Sequence, residues 1–269
     1  MATNDLLLYL ALFGYLVGGA HYVLDVSSTR LRVGAVATWA TLAGFGLHSA
    51  ALALTAVGLP RWGPAQSLSF FAWGTVLIYL LVERRYGNRV MGALVMPLAI
   101  VAAAAAAAAP ERLHALAPGL RGWGPVVHVG LAILGNAAFA VTCCAGLMYL
   151  VQERQLKSRH FGKMRFRLPA LEQLDDMGLK SMLLGFPLLT LALFSGFLWA
   201  EQARGWFFQL RPRETWSLVS WVIYAGILYA RVSAGWRGRK AAILAILGFC
   251  LVLFTFLGVK VLKSGAGSW

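Results

Sequence analysis

Long apolar runs separated by short polar clusters set the pattern of this chain, and the runs are too long and too uniformly apolar for a half-buried helix or a strand. Eight of them reach the scale of a bilayer crossing, near residues 5–24, 33–57, 68–83, 90–109, 125–151, 180–200, 215–231 and 240–262. A hydrocarbon core about 30 Å thick needs ~20 such residues per helix. The fourth run is the weakest, because its alanine tract Ala102–Ala109 drives insertion far less than leucine does, and its neighbours must hold it in place. The expected fold is therefore an all-α integral membrane protein of about eight transmembrane helices, a single polytopic domain over residues 1–269 with no internal repeat. Met1 to Asp5 carries no Lys or Arg and leads into the first run without a small-residue cleavage pattern, so that run is expected to be a retained helix. The longest connector, 152–179, contains Pro169-Ala-Leu-Glu-Gln-Leu-Asp-Asp176, which has apolar residues at helical spacing. It reads either as a helix lying along the inner membrane surface or as a solvated connector with one helical turn or two.

Charge fixes an expected orientation. Composition is 59% hydrophobic and 13% charged, which leaves too little polar surface for a water-soluble fold. The net charge of +14 sits in clusters between apolar runs, so anionic membrane lipid, and not nucleic acid, is the expected partner. The segments joining runs 1–2, 3–4, 5–6 and 7–8 carry 2, 3, 7 and 4 Lys and Arg, 16 in all, against 8 on the other side. Positive charge resists translocation, so both termini and the loops 58–67, 110–124 and 201–214 are expected outside and 152–179 in the cytoplasm, in a multi-pass protein of the cell inner membrane.

Histidines carry the first candidate chemistry. His48 and His128 lie within apolar runs, in the outer half of the membrane on this topology, where a neutral imidazole can ligate iron or bond a neighbouring helix. His21 sits at an interface, and His114 and His160 fall in loops with no second ligand beside them in sequence. The loop Glu201-Gln-Ala-Arg-Gly-Trp-Phe-Phe-Gln-Leu-Arg-Pro-Arg-Glu-Thr-Trp216 has four aromatics and a net positive charge. It suits a flat dianionic ligand such as haem, stacked on aromatics and paired to Arg204, Arg211 or Arg213, or it is an aromatic belt with snorkelling arginines. Cys143, Cys144 and Cys250 have no metal-ligand or disulfide spacing and read as small core residues. Most glycines fall singly in apolar runs, as close helix packing requires. No phosphate-binding loop, Ser/His/Asp signature or zincin motif occurs, and no independent catalytic activity is expected.

Segments spread along the chain carry a family resemblance. In order they are Gly46-Leu-His48, Ser67-Leu-Ser-Phe-Phe-Ala-Trp73, Tyr79-Leu-Leu-Val-Glu-Arg-Arg-Tyr86, Val127-His-Val129, Gly146-Leu-Met-Tyr-Leu-Val-Gln-Glu-Arg154, Pro212-Arg-Glu-Thr-Trp216, Gly235-Trp-Arg-Gly-Arg-Lys-Ala-Ala242, Gly248-Phe249 and Phe256-Leu-Gly-Val259. Together they resemble the CcsA/HemX-type cytochrome c assembly proteins over about four-fifths of the chain. The resemblance implies eight membrane helices and a tryptophan-rich outer loop that presents haem between ligating histidines, with His128 matching the histidine ahead of that loop. His48 and His128 are the metal-ligand candidates, and Trp206, Arg211, Glu214 and Trp216 join them in the candidate haem-binding set. The chain departs from the family loop pattern WGxYWxWDPKETW: Arg204, Phe208 and Leu210 stand where tryptophans are usual and Arg211 replaces the aspartate. Gly267 stands where a second flanking histidine is usual. The implied function is a haem-binding or haem-handling component of cytochrome c biogenesis, with membrane protein partners in that assembly. The alternatives are a HemX-like regulator of haem biosynthesis acting through 152–179, and a structural subunit of a membrane complex.

Overall fold

The computed structural model describes residues 3–27, 31–57, 63–109, 123–158, 168–204 and 212–265. Eight helices account for almost all of them, one at each expected run: α1 (Thr3–Ser27), α2 (Leu31–Val57), α3 (Pro64–Tyr86), α4 (Gly92–Ala108), α5 (Trp123–Lys157), α6 (Leu171–Arg204), α7 (Pro212–Val232) and α8 (Arg239–Gly265). Among the described residues there is no strand. α1, α2, α3, α5 and α6 are long and apolar enough to cross a membrane, and α4 is apolar but 17 residues long. Capping is legible at α3. Pro64 opens its first turn, the Gly63 N–H donates to the Gln66 side chain at 3.0 Å, and Gly87 closes it in the left-handed region at φ 64°.

The helices pack as two rings of four. α1, α2, α3 and α4 contact one another in sequence order and close through α1 on α4; α5, α6, α7 and α8 do the same through α5 on α8. α5 joins the rings by packing on α3 and α4, and 78% of its apolar window is buried, against 28–39% for the other four spans. Small residues permit the closest crossings. A Cβ on Gly14 of α1 would lie 2.9 Å from the Gly44 Cα of α2, which no side chain tolerates.

Two expectations need correction. Pro169–Asp176 is helical from Leu171 on, as its spacing implies, but it is not a separate element of the connector. Most of it is the first turn and a half of α6, which runs unbroken from Leu171 to Arg204. Two of its three acidic residues tie it to other elements: Asp175 bonds Arg231 and the Gly238 N–H, and Asp176, 40% exposed, bonds Tyr86 of α3 as well as Lys180 one turn on. With α5 continuing to Lys157, the connector shrinks to residues 158–170, of which 159–167 lie outside the described residues. Cys250 is also not a core residue. Cys143 and Cys144 are buried, but Cys250 is on the exposed face of α8.

Polar contacts gather at one end of the bundle. The ion pairs Arg89–Glu83, Lys157–Glu153, Lys180–Asp176, Arg231–Asp175 and Arg239–Glu153 all lie there, at the ends of α3 to α8 that the Lys- and Arg-rich segments join. The opposite end carries the candidate histidines.

Candidate functional site

His48 sits on α2 and is fully buried. Its two ring nitrogens face hydroxyls from two other helices: Nδ1 is 3.1 Å from the Tyr15 hydroxyl of α1, and Nε2 is 2.8 Å from Ser69 Oγ of α3. A neutral imidazole has one donor and one acceptor, and both are used here. An iron at either nitrogen has to displace a hydroxyl partner. As folded, His48 does not fit the role of ligand; its bonds tie α1, α2 and α3 together.

His128 is held differently. It lies in the second turn of α5, partly exposed, with Nδ1 2.6 Å from the backbone carbonyl of Ala192 on α6. A carbonyl only accepts, so Nδ1 carries the proton and Nε2 carries the lone pair. This is the arrangement by which proteins orient a metal-binding imidazole. α6 makes room for the ring at Gly196, where a Cβ would stand 2.6 Å from His128 Cε1. The donor chemistry and this glycine cradle fit an iron-ligating histidine.

The two histidines have partners on different helices, His48 on α1 and α3 and His128 on α6. The outer part of α3 stands between them. Ser69 meets His48, while the next residue, Phe70, approaches Gly130, two positions beyond His128. Trp73 stacks on Phe70 and Phe45 and donates its indole N–H to Ser49 at 2.8 Å.

Of the loop candidates, Trp206 and Arg211 lie outside the described residues. Glu214 is half-buried in the first turn of α7, where a carboxylate is favoured by the helix dipole. Trp216, also half-buried, packs its ring edgewise on Phe254 of α8 at 6.3 Å, and its carbonyl accepts from Ser220. His21 bonds back to the Val17 carbonyl within α1, and His114 and His160 lie outside the described residues. Among the described residues no group of three or more His, Cys, Asp or Glu is placed to hold a metal.

One buried site escapes the sequence reading. At the opposite end, Glu83 accepts hydrogen bonds from Tyr22 at 2.6 Å and Thr38 at 2.5 Å, with Arg89 3.6 Å away. Its signal is a carboxylate closing an apolar run, since ionisable groups at membrane depth are costly and need partners.

Residues 62–266, a span that contains α3 to α8, match the family described as Cytochrome C assembly protein. The chain belongs to the cytochrome c assembly protein family. It is 36% identical over 227 residues to the cytochrome c biogenesis protein CcsA of Prochlorococcus marinus (strain MIT 9301), covering 76% of this chain and 74% of that protein. It is 32% identical over 252 residues to the CcsA of Synechococcus sp. (strain CC9902), covering 81% and 83%. Among solved structures it resembles the cytochrome c haem lyase CcmF, with a TM-score of 0.64 at 18% identity over 94% of this chain. It spans 46% of the CcmF chain, and that likeness is one of fold. Within the cytochrome c assembly match fall His128, Glu214 and Trp216, whereas His48 precedes it.

Proposed function

We propose that this protein is a multi-pass inner-membrane component of cytochrome c biogenesis that handles haem at its outer end, with His128 as an iron ligand. The observation that carries the reading is the seat of His128, whose Nδ1 is held by the Ala192 carbonyl and whose ring rests on Gly196, inside the span that matches the assembly family. All eight helices cross the bilayer as one domain, with both termini outside and the ion-paired end in the cytoplasm. Its partners are other membrane proteins of cytochrome c assembly.

Bound haem supplies an iron centre that accepts an imidazole nitrogen and a planar apolar surface with two propionates. The chain's residues do the rest. The Ala192 carbonyl fixes the tautomer and ring plane of His128, which leaves the lone pair on Nε2, the atom that would meet the iron. Trp206 and Trp216 would offer aromatic faces to the haem and Arg211 would pair with a propionate. Glu214 favours the start of α7 through the helix dipole, which steadies Trp216 two residues on. His48 stays in its core bonds; for it to ligate, Ser69 or Tyr15 has to let go.

The test is an absorption spectrum of the protein purified in detergent with haem supplied, oxidised and reduced, beside His128→Ala and His114→Ala. The reading expects a distinct bound-haem spectrum that His128→Ala alters and His114→Ala leaves alone. Identical spectra for the parent and His128→Ala sink the assignment.

A further inference from the structure

The corner between α7 and α8 is shaped by two glycines in the left-handed region, Gly235 at φ 67° and Gly238 at φ 70°. It is fixed in place. The Trp236 N–H donates to the Ala230 carbonyl at 3.0 Å, and the Gly238 N–H donates to Asp175 at 3.1 Å. On this rigid turn stand Trp236, Arg237, Arg239 and Lys240, all exposed, with the Lys240 ammonium 5.6 Å from the Trp236 ring centre.

Elsewhere at this end the cations are matched in part: Arg84, Arg85 and Arg154 have no carboxylate in an ion pair among the described residues, but Arg84 and Arg85 end α3 and Arg154 ends α5, with no turn that gathers them beside Lys240. Arg89, Lys157, Lys180 and Arg231 each have a carboxylate within 3.6 Å. At the corner they are not matched. Arg239 reaches Glu153 only at 3.9 Å, and the other oxygen of Glu153 already holds Lys157 at 2.7 Å. Arg237 and Lys240 have no carboxylate partner among the described residues.

Below the corner, α8 offers an apolar track. Lys240, Ile243, Leu247, Cys250 and Phe254 follow one another at helical spacing on one face, and all are exposed. A cationic head at the membrane surface above an exposed apolar stripe is complementary to a single amphiphile of negative charge. We infer that the α7–α8 corner binds one anionic phospholipid, with its phosphate held by Arg237, Arg239 and Lys240 and an acyl chain laid along Ile243, Leu247 and Phe254. Arginine forks and an ammonium match phosphate oxygens, and the indole of Trp236 belongs at the headgroup level. The headgroup site lies at the opposite end of α8 from the haem candidates, and only Phe254, at the far end of the track, also touches one of them, Trp216.

The experiment uses the full chain in nonionic detergent with photoactivatable phosphatidylglycerol, and phosphatidylcholine carrying the same probe as the zwitterionic comparison. Labelled peptides should map to residues 229–254. The triple variant Arg237→Gln, Arg239→Gln, Lys240→Gln should lower phosphatidylglycerol labelling by at least about tenfold and leave phosphatidylcholine labelling unchanged. Because all three side chains are exposed, the variant should elute as the parent does. Excess inorganic phosphate should not displace the lipid. Equal labelling in parent and triple variant, labelling spread evenly around Arg84, Arg85 and Lys180, or loss of labelling to inorganic phosphate would each overturn the assignment.

Discussion

Arg231 grips Asp175 twice: one guanidinium nitrogen lies 3.0 Å from the carboxylate and 3.0 Å from the Asp175 backbone carbonyl. The pair joins the last turn of α7 to the first turns of α6, and through the Gly238 N–H it also holds the start of α8. Its side chains are 3% and 17% exposed, so breaking it leaves a buried cation uncompensated. Asp175→Ala is expected to destabilise the protein by about 3–5 kcal/mol, because the buried guanidinium loses its counter-ion and keeps only the backbone carbonyl. Adding Arg231→Met should recover much of that loss, measured as thermal unfolding in detergent. A double variant no more stable than Asp175→Ala alone would show that the Gly238 anchor, and not the ion pair, does the holding.

The seat of His48 predicts a result opposite to iron ligation. His48→Ala empties a fully buried position and strands the Tyr15 and Ser69 hydroxyls, at a cost of about 1–3 kcal/mol for unmet hydrogen bonds with a cavity penalty added. His48→Gln, which keeps a donor and an acceptor, should recover part of the stability and leave a haem spectrum unchanged. A spectrum lost in His48→Gln at full stability would make His48 a ligand after all.

Gly196 offers a test of His128 that leaves the histidine in place. In Gly196→Ala the new methyl falls 2.6 Å from the ring, which must move off the Ala192 carbonyl. Overpacking of this kind costs about 1–3 kcal/mol. The expected outcome is a folded protein whose haem spectrum is altered in the same sense as that of His128→Ala. Parent-like spectra would mean that the ring's seat does not matter to the iron.

Glu83 should be sensitive to the loss of its charge and insensitive to haem. In Glu83→Gln the acceptor for Tyr22 and Thr38 is weakened and Arg89 loses its counter-ion. About 1–3 kcal/mol of stability should go, read by thermal unfolding, with the haem spectrum intact.

Topology is checked by cysteine substitution in a background lacking Cys143, Cys144 and Cys250. A cysteine at Ser158 should be shielded from an impermeant reagent in intact cells and one at Gly63 modified. The reverse pattern inverts the whole assignment.

Sequence reading found the helices because apolar runs of this length announce themselves without any partner. It misjudged the start of α6. Glu172, Asp175, Asp176 and Lys180 look like a water-exposed connector until Arg231, Gly238 and Tyr86 are brought alongside by packing 56, 63 and 90 residues away. The histidines were equally visible, since an imidazole in an apolar run is conspicuous. What each nitrogen meets was not visible. Tyr15 and Ser69 lie 33 and 21 residues from His48, and Ala192 lies 64 from His128, at distances set by how whole helices cross. Local pattern decides which segments are helical, and packing decides which polar atoms are occupied.

α5 outruns the corner that joins α7 to α8. Tyr149 is level with the α7–α8 corner, since a Cβ on Gly238 would sit 2.9 Å from its hydroxyl. α5 continues eight residues further to Lys157, about 12 Å of rise. Those two turns carry Glu153, Arg154 and Lys157, and Glu153 reaches back to Arg239 at the corner. On the proposed topology, α5 therefore carries its last charges toward the cytoplasm past the corner where α7 turns into α8.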